Sequence, residues 1–167
     1  MATVTFKGDP LTTVGEPPAV GTSAPAFSLT GGDLAPRSLA DYSDDHLILN
    51  VFPSLDTGVC AASVRSFNEK AAALDTARVL GISMDLPFAQ GRFCESNGID
   101  KVEILSAFRS HDFGRDYGLL IDSGPLKGLL ARCVLVLGPD RTVVHAQLVP
   151  EIAEEPDYAA ALAAVGK

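Results

Sequence analysis

The stretch Leu47-Ile48-Leu49-Asn50-Val51-Phe52-Pro53-Ser54-Leu55-Asp56-Thr57-Gly58-Val59-Cys60 decides how this chain is read. Residues 47–52 form a short apolar run ended by Pro53, the pattern of a strand buried on both faces. A short loop follows. From Gly58 onward, Val64, Phe67, Ala71 and Leu74 recur at spacings of three and four, which predicts a helix over 58–75.

The same alternation continues toward the C-terminus. Val79-Leu80-Gly81-Ile82-Ser83-Met84 reads as the next strand. Pro87 opens a short helix that stops before Gly98, proline suiting the first turn and glycine the exit. Residues 102–106 are predicted as a strand and 110–117 as a helical turn. Leu129 to Leu137 reads as a central strand. Gly138-Pro139-Asp140-Arg141 turns into a strand from Thr142 to Val149, alternating on one face through Val144, Ala146 and Leu148. Pro156 opens a last helix, Asp157 to Val165. Toward the N-terminus, Gly8-Asp9-Pro10 separates Val4-Thr5-Phe6 from Leu11-Thr12-Thr13-Val14, which predicts a hairpin within about residues 1–15. Residues 15–26 carry Gly15, Pro17, Pro18, Gly21 and Pro25 and read as an ordered connector. Phe27-Ser28-Leu29 then reaches a Gly31-Gly32-Asp33 turn. The pattern predicts an α/β fold with a thioredoxin-like core, a central mixed sheet flanked by helices, in one domain spanning 1–167. An open doubly wound sheet is the alternative.

Composition narrows the function. With 47% apolar and 20% charged residues, the chain has enough apolar surface for a core and is not disordered. The net charge of −8 disfavours a nucleic-acid partner, because an acidic surface repels phosphate backbones. No apolar run approaches the roughly 20 residues that span a bilayer, so no membrane partner is expected. The start, Met1-Ala2-Thr3-Val4-Thr5-Phe6-Lys7-Gly8, lacks a basic segment followed by an apolar one, so no secretory signal is read. Three cysteines in such a chain fit a cytoplasmic protein with free or redox-active thiols better than a secreted disulfide scaffold.

The cysteines differ in setting. Thr57 is a plausible N-cap, which puts Cys60 in the first helical turn. Free backbone N–H groups and the positive end of the macrodipole favour a thiolate there, the nucleophilic form. Cys60 also shares the core-facing stripe with Val64 and Phe67, so its sulfur should point into a pocket at the helix start. The alternative is a small buried hydrophobe. Arg132 stands alone in the apolar run 129–137. A guanidinium cannot shed its proton, so something anionic should meet it: a thiolate, or an Asp or Glu. In the helix opened by Pro87 the apolar face runs Leu86, Ala89, Phe93. Cys94 falls on the next face with Gln90 and Asn97, partly exposed, as a thiol that resolves a sulfenic acid must be, or as a tolerated surface thiol. Strand parity sends Cys133 away from Arg132's side, into core packing.

Pro53-x-x-x-Thr57-x-x-Cys60 resembles the active-site loop of the peroxiredoxins. The wider resemblance is to the bacterial thiol peroxidase group of atypical two-cysteine peroxiredoxins. It runs through residues 51–60, Asp85-Leu86-Pro87-Phe88-Ala89-Gln90, Arg92-Phe93-Cys94, Ser106-Ala107-Phe108-Arg109-Ser110, residues 122–129 and Leu130-Ala131-Arg132, and covers nearly the whole chain. The resemblance implies that Cys60 is the peroxidatic cysteine and Cys94 the resolving one. It implies that Thr57 contacts the peroxide, that Arg132 supports thiolate and substrate, and that Pro53 shields the pocket from water. It further implies a hydrogen peroxide or organic hydroperoxide substrate, thioredoxin as reductant, a homodimer and a Cys60–Cys94 disulfide in the cycle; neither cofactor nor metal is expected. Glu95-Ser96-Asn97 and Cys133 depart from the group's pattern.

Thiolate formation alone does not make a peroxidase. A thiol of pKa about 8.5 is roughly 3% ionised at pH 7, so complete ionisation gains only about thirtyfold. The larger share must come from groups that align the O–O bond and stabilise the leaving oxygen, for which Thr57, Arg132 and the N–H groups around Val59 and Cys60 are candidates. Other chemistries fit less well. No Cys-x-x-Cys pair exists for a disulfide oxidoreductase. His46, His111 and His145 have no diagnostic spacing for a cysteine hydrolase and read as surface residues. No close ligand pair suggests zinc. A non-catalytic redox sensor using Cys60 and Cys94 is the rival from another class.

Overall fold

The computed structural model describes residues 1–71 and 73–165. In chain order the elements are β1 (Thr3–Phe6), β2 (Asp9–Thr12), β3 (Ser28–Thr30), β4 (Pro36–Ser38), β5 (His46–Val51), α1 (Gly58–Ala71), β6 (Ala77–Ser83), α2 (Pro87–Asn97), β7 (Val102–Ser106), α3 (His111–Asp116), β8 (Cys133–Leu137), β9 (Val143–Leu148) and α4 (Tyr158–Ala164). β1 and β2 form a separate hairpin. The other strands form one seven-stranded sheet in the order β4-β3-β7-β6-β5-β8-β9.

The three central strands β5, β6 and β7 run parallel, and β8 runs antiparallel to β5. Parallel neighbours need crossovers, which α1 and α2 supply. Every residue of β5 is buried, as its unbroken apolar run requires. Strand parity then divides the core. Leu47, Leu49 and Val51 join Leu80, Ile82 and Leu135 on one face, under Phe27, Phe113 and Tyr117. Ile48 and Phe52 join Val79, Val134 and Val136 on the other, under Val64 and Phe67 of α1 and Ala161 of α4. This mixed sheet, helix-covered and preceded by an antiparallel hairpin, is the thioredoxin-like architecture and not an open doubly wound sheet. No helix among the described residues is long and apolar enough to cross a membrane.

Several boundaries differ from the sequence reading. The hairpin turn is Lys7-Gly8, both at positive φ (52° and 87°), so Asp9 and Pro10 lie in β2 and not in the turn. The first helix is described to Ala71. Of its predicted remainder, residue 72 lies outside the described residues, and Leu74 N–H closes a shorter bond on the Ala71 carbonyl (3.0 Å). Residues 166–167 of the predicted domain are likewise outside. The predicted strand 129–137 begins only at Cys133, because Ala131 N–H bonds the Leu119 carbonyl (2.9 Å) and Leu129 C=O accepts from Ile121 N–H (2.9 Å). A bulge breaks the alternation of β9: Val136 faces His145 but Leu137 faces Val143, leaving Val144 extra. Val144 therefore packs on the α1 face while Ala146 and Leu148 pack on the other. β4 and the 3-10 turn Leu39–Asp41 were not anticipated.

Two glycines at positive φ give a contrast that checks this packing. Gly98 (φ +63°) ends α2 in open space, whereas a Cβ on Gly118 (φ +66°) would sit 2.2 Å from the Glu16 carbonyl oxygen. Gly98→Ala should cost about 1 kcal/mol of stability, the left-handed penalty alone. Gly118→Ala should cost about 3 kcal/mol or more, because backbone must also move. Denaturant unfolding of both variants measures the difference, and equal losses would mean that the connector is not packed against Gly118.

Candidate active site

Ala61 N–H donates to the Thr57 carbonyl (3.0 Å), so α1 begins at Thr57 as the sequence suggests. The Thr57 hydroxyl, however, donates to the Ser54 carbonyl (2.9 Å), turning back along the loop. The predicted side-chain cap on the helix N–H groups is not among its bonds. Cys60 lies in the first turn, which carries no acidic side chain. It is 0% exposed and packs with Val64 and Phe67. Pro53 is buried at the base of the loop and Thr57 is exposed at its rim.

Arg132 is 1% exposed. Its Nη2 donates to Cys60 Sγ at 3.1 Å and its Nε to the Ile152 carbonyl at 3.0 Å. Nη1 is buried without a hydrogen-bond partner among the described residues. None of the ion pairs among those residues involves Arg132, so no Asp or Glu pairs with it there and the Cys60 sulfur is the side chain its guanidinium meets. The Ile152 carbonyl is itself held from the N-terminus. Ile152 N–H donates to the Thr5 carbonyl (2.8 Å), Thr5 N–H to the Pro150 carbonyl (2.7 Å), and Val4, Leu11 and Ile152 share a small core. The hairpin thus buttresses the carbonyl that aims the guanidinium.

Cys94 and Cys133 have separate fates. Cys133 packs on the sheet face opposite Cys60, as strand parity predicts, and burial pushes its thiol up to about 12. Cys94 is half-buried at the edge of the Cys60 cluster, and burial raises its thiol above the ordinary range. It lies in the last turn of α2, where Gly98 N–H and Ile99 N–H (2.9 Å) both close on its carbonyl. The predicted faces of α2 are rotated. Leu86 is 51% exposed, and the buried residues of the helix are Pro87 and Gln90. Gln90 does share the Cys94 face, lining one pocket with it, but it is not exposed there. It is 2% exposed, and its Nε2 bonds the Leu105 carbonyl (3.0 Å) and the Ser83 hydroxyl (3.2 Å). Asn97 is exposed as expected. All three cysteines are free thiols.

Of the histidines, only His111 is exposed. His46 is buried at the start of β5, remote from the loop that follows that strand, and His145 is half-buried in β9. The surface reading therefore fails for His46 and His145. Among the described residues no cluster of three or more His, Cys, Asp or Glu is placed to hold a metal ion.

Two features near the site escaped the sequence reading. Asn50, fully buried, donates from Nδ2 to Ser63 Oγ (3.3 Å), whose hydroxyl donates to the Cys60 carbonyl (2.8 Å). The signal was available: Asn50 is the polar residue inside the apolar run 47–52. Asp85, at the end of β6, receives hydrogen bonds from the loop that precedes α1. Its partners are distant in sequence, so no local pattern revealed them.

Comparison with known proteins agrees with this geometry. The Redoxin family matches residues 19–162. The thiol peroxidase of Mycobacterium tuberculosis is 55% identical over 166 residues, covering 99% of both chains. That of Corynebacterium glutamicum is 52% identical over 165 residues with the same coverage. Among solved structures, a peroxiredoxin-like protein from Aquifex aeolicus superposes with a TM-score of 0.93 at 42% identity, over 99% of this chain and 96% of that one. A buried thiol under a guanidinium at the start of a helix, on a thioredoxin-like sheet, and full-length similarity to these proteins lead to one conclusion: the chain belongs to the thiol peroxidase family of redoxins, enzymes of thiol-dependent peroxide reduction.

Proposed function

We propose that the chain reduces hydrogen peroxide and organic hydroperoxides to water and alcohols through Cys60 as nucleophile, with Cys94 as resolving thiol and thioredoxin as reductant. The contact of Arg132 Nη2 with Cys60 Sγ at 3.1 Å in a buried setting carries this reading. The guanidinium places a permanent positive charge beside the proposed nucleophile. The Cys60 thiolate attacks one peroxide oxygen. The S–O bond forms, the O–O bond breaks, and the departing oxygen takes a proton and leaves as water or alcohol. The sulfenic acid on Cys60 then accepts the Cys94 sulfur, releasing water and forming a disulfide, which the reductant's two thiols return to the starting state.

Each neighbour has a role in the first step. The unpartnered Nη1 of Arg132 supplies a donor for the leaving oxygen. The Thr57 hydroxyl already donates to Ser54, so its lone pairs accept the hydrogen of the incoming hydroperoxide. Pro53 closes the base of the pocket to water. The homodimer belongs to the same reading, with Leu86 and Phe88 (51% and 71% exposed) as apolar surface for it. So does a cytoplasmic location, supported by the free thiols the cycle requires.

Coupled turnover with thioredoxin and either hydrogen peroxide or an alkyl hydroperoxide tests the scheme. Cys60→Ser should abolish turnover, and Cys94→Ser should keep the first reaction but block recycling. A Cys60 that reacts once and is not recycled would make the protein a sensor instead. Arg132→Ala should lose more than the roughly thirtyfold that ionisation can supply, into the range of about 10²–10³ seen when one oxyanion donor is removed. Titration of the Cys60 thiol in that variant apportions the loss, and a shift that accounts for all of it would contradict the donor role of Nη1.

Resolution is expected to require motion, the two Cα atoms lying farther apart in the dithiol form than a disulfide allows. Cys60 is fully buried and Cys94 is held in the closing turn of α2, while a disulfide needs Cα atoms within about 7 Å. The first turn of α1 and the last turn of α2 should unwind in the disulfide form. Structures of the two redox states that superimpose at both turns would refute this.

A further inference from the structure

We infer that Asp85 is a positioning residue for the peroxide reaction, its carboxylate holding the loop that aims the Thr57 hydroxyl. This rests on the proposed peroxidase reading. β5 and β6 are parallel and paired to their ends, Val51 against Ile82, so the loops that follow them emerge at the same edge of the sheet. One loop leads to Cys60, and Asp85 lies on the other.

Three donors converge on the Asp85 carboxylate. The Ser54 hydroxyl donates to Oδ1 (2.7 Å), and Leu55 N–H (2.8 Å) and the Ser83 hydroxyl (2.7 Å) donate to Oδ2. None of the ion pairs among the described residues involves Asp85. The carboxylate serves as an acceptor, not as a charge partner. The arrangement of donors accounts for the residue type: every neighbour donates, and a carboxylate accepts on both oxygens where an amide accepts on one. An asparagine there would turn its NH₂ toward a donor.

The consequence reaches Thr57 through Ser54. The Ser54 hydroxyl oxygen accepts Asp56 N–H (3.1 Å), and the Ser54 carbonyl accepts both Thr57 N–H (3.2 Å) and the Thr57 hydroxyl (2.9 Å). Asp85 fixes one side of Ser54, and Ser54 fixes the direction of the Thr57 lone pairs. Asp85 is itself clamped, its N–H donating to Ser83 Oγ (3.3 Å) and its carbonyl accepting the Ser106 hydroxyl.

The test uses Cys94→Ser protein, in which oxidation of Cys60 is isolated, and follows sulfenic acid formation with hydrogen peroxide by rapid mixing. Asp85→Asn should slow this step by about ten- to a hundredfold, the scale expected when a reacting group is misaimed by about 1 Å. Ser54→Ala should slow it less. Because both act through Thr57, neither should slow it further in a Thr57→Val background. Ser54→Ala deletes one hydroxyl and carries the same test should Asp85→Asn unfold. A rate for Asp85→Asn within threefold of its parent would overturn the inference. So would losses that multiply with that of Thr57→Val, or a loss matched by an upward shift in the Cys60 titration. A parent that forms no sulfenic acid on Cys60 would instead remove the peroxidase reading, and this inference with it.

Discussion

A guanidinium buried to 1% exposure against a fully buried sulfur is the constraint on which the rest of this molecule is organised. Arginine keeps its proton, and an unpaired buried charge costs several kcal/mol, so the fold must deliver a hydrogen-bond partner to Nη2. The sheet does this. Val51 pairs with Cys133 at the antiparallel junction of β5 and β8. The end of one strand and the start of the other therefore meet at one edge, which brings α1 and Arg132 together across a long sequence separation. The N-terminal hairpin completes the arrangement by fixing the carbonyl of Ile152 against Nε.

That design sets burial against chemistry. The sulfur is protected from solvent by the apolar cluster under α1, whereas the proposed chemistry requires that a peroxide reach it and a second thiol later bond to it. The fold keeps its adjustable parts short. The loop before α1 rests on hydrogen bonds to the carboxylate of Asp85, and Cys94 sits where α2 already ends on the left-handed Gly98. Cys60 and Cys94 each lie about one helical turn from irregular backbone. Cys133 lies on the far sheet face with a thiol pushed up to about 12.

Much of this was legible in the sequence because periodicity and punctuation are local. The apolar run ended by Pro53, the stripe Val64–Phe67 and the Pro87-to-Gly98 helix all carry their own signals, and the lone arginine in an apolar run called for a buried partner. What escaped was tertiary. The run 129–137 looks like one strand, but its first residues bond the 119–121 segment, so strand structure begins after Arg132. Val144 breaks an apparent alternation through a bulge that no pattern of residues marks. Gln90 looks like a surface polar residue, yet it is buried because it reaches the Leu105 carbonyl. The Thr57 hydroxyl turns back to Ser54 and not onto the helix, a choice set by loop geometry.

The most direct measurement is the site of first oxygen incorporation. The reduced protein is given a brief, substoichiometric pulse of peroxide, trapped with a sulfenic-acid reagent, digested and mapped by mass spectrometry. The account predicts the adduct on Cys60, with Cys94 and Cys133 unmodified. An unmodified Cys60 with the adduct on either of the other thiols would contradict it.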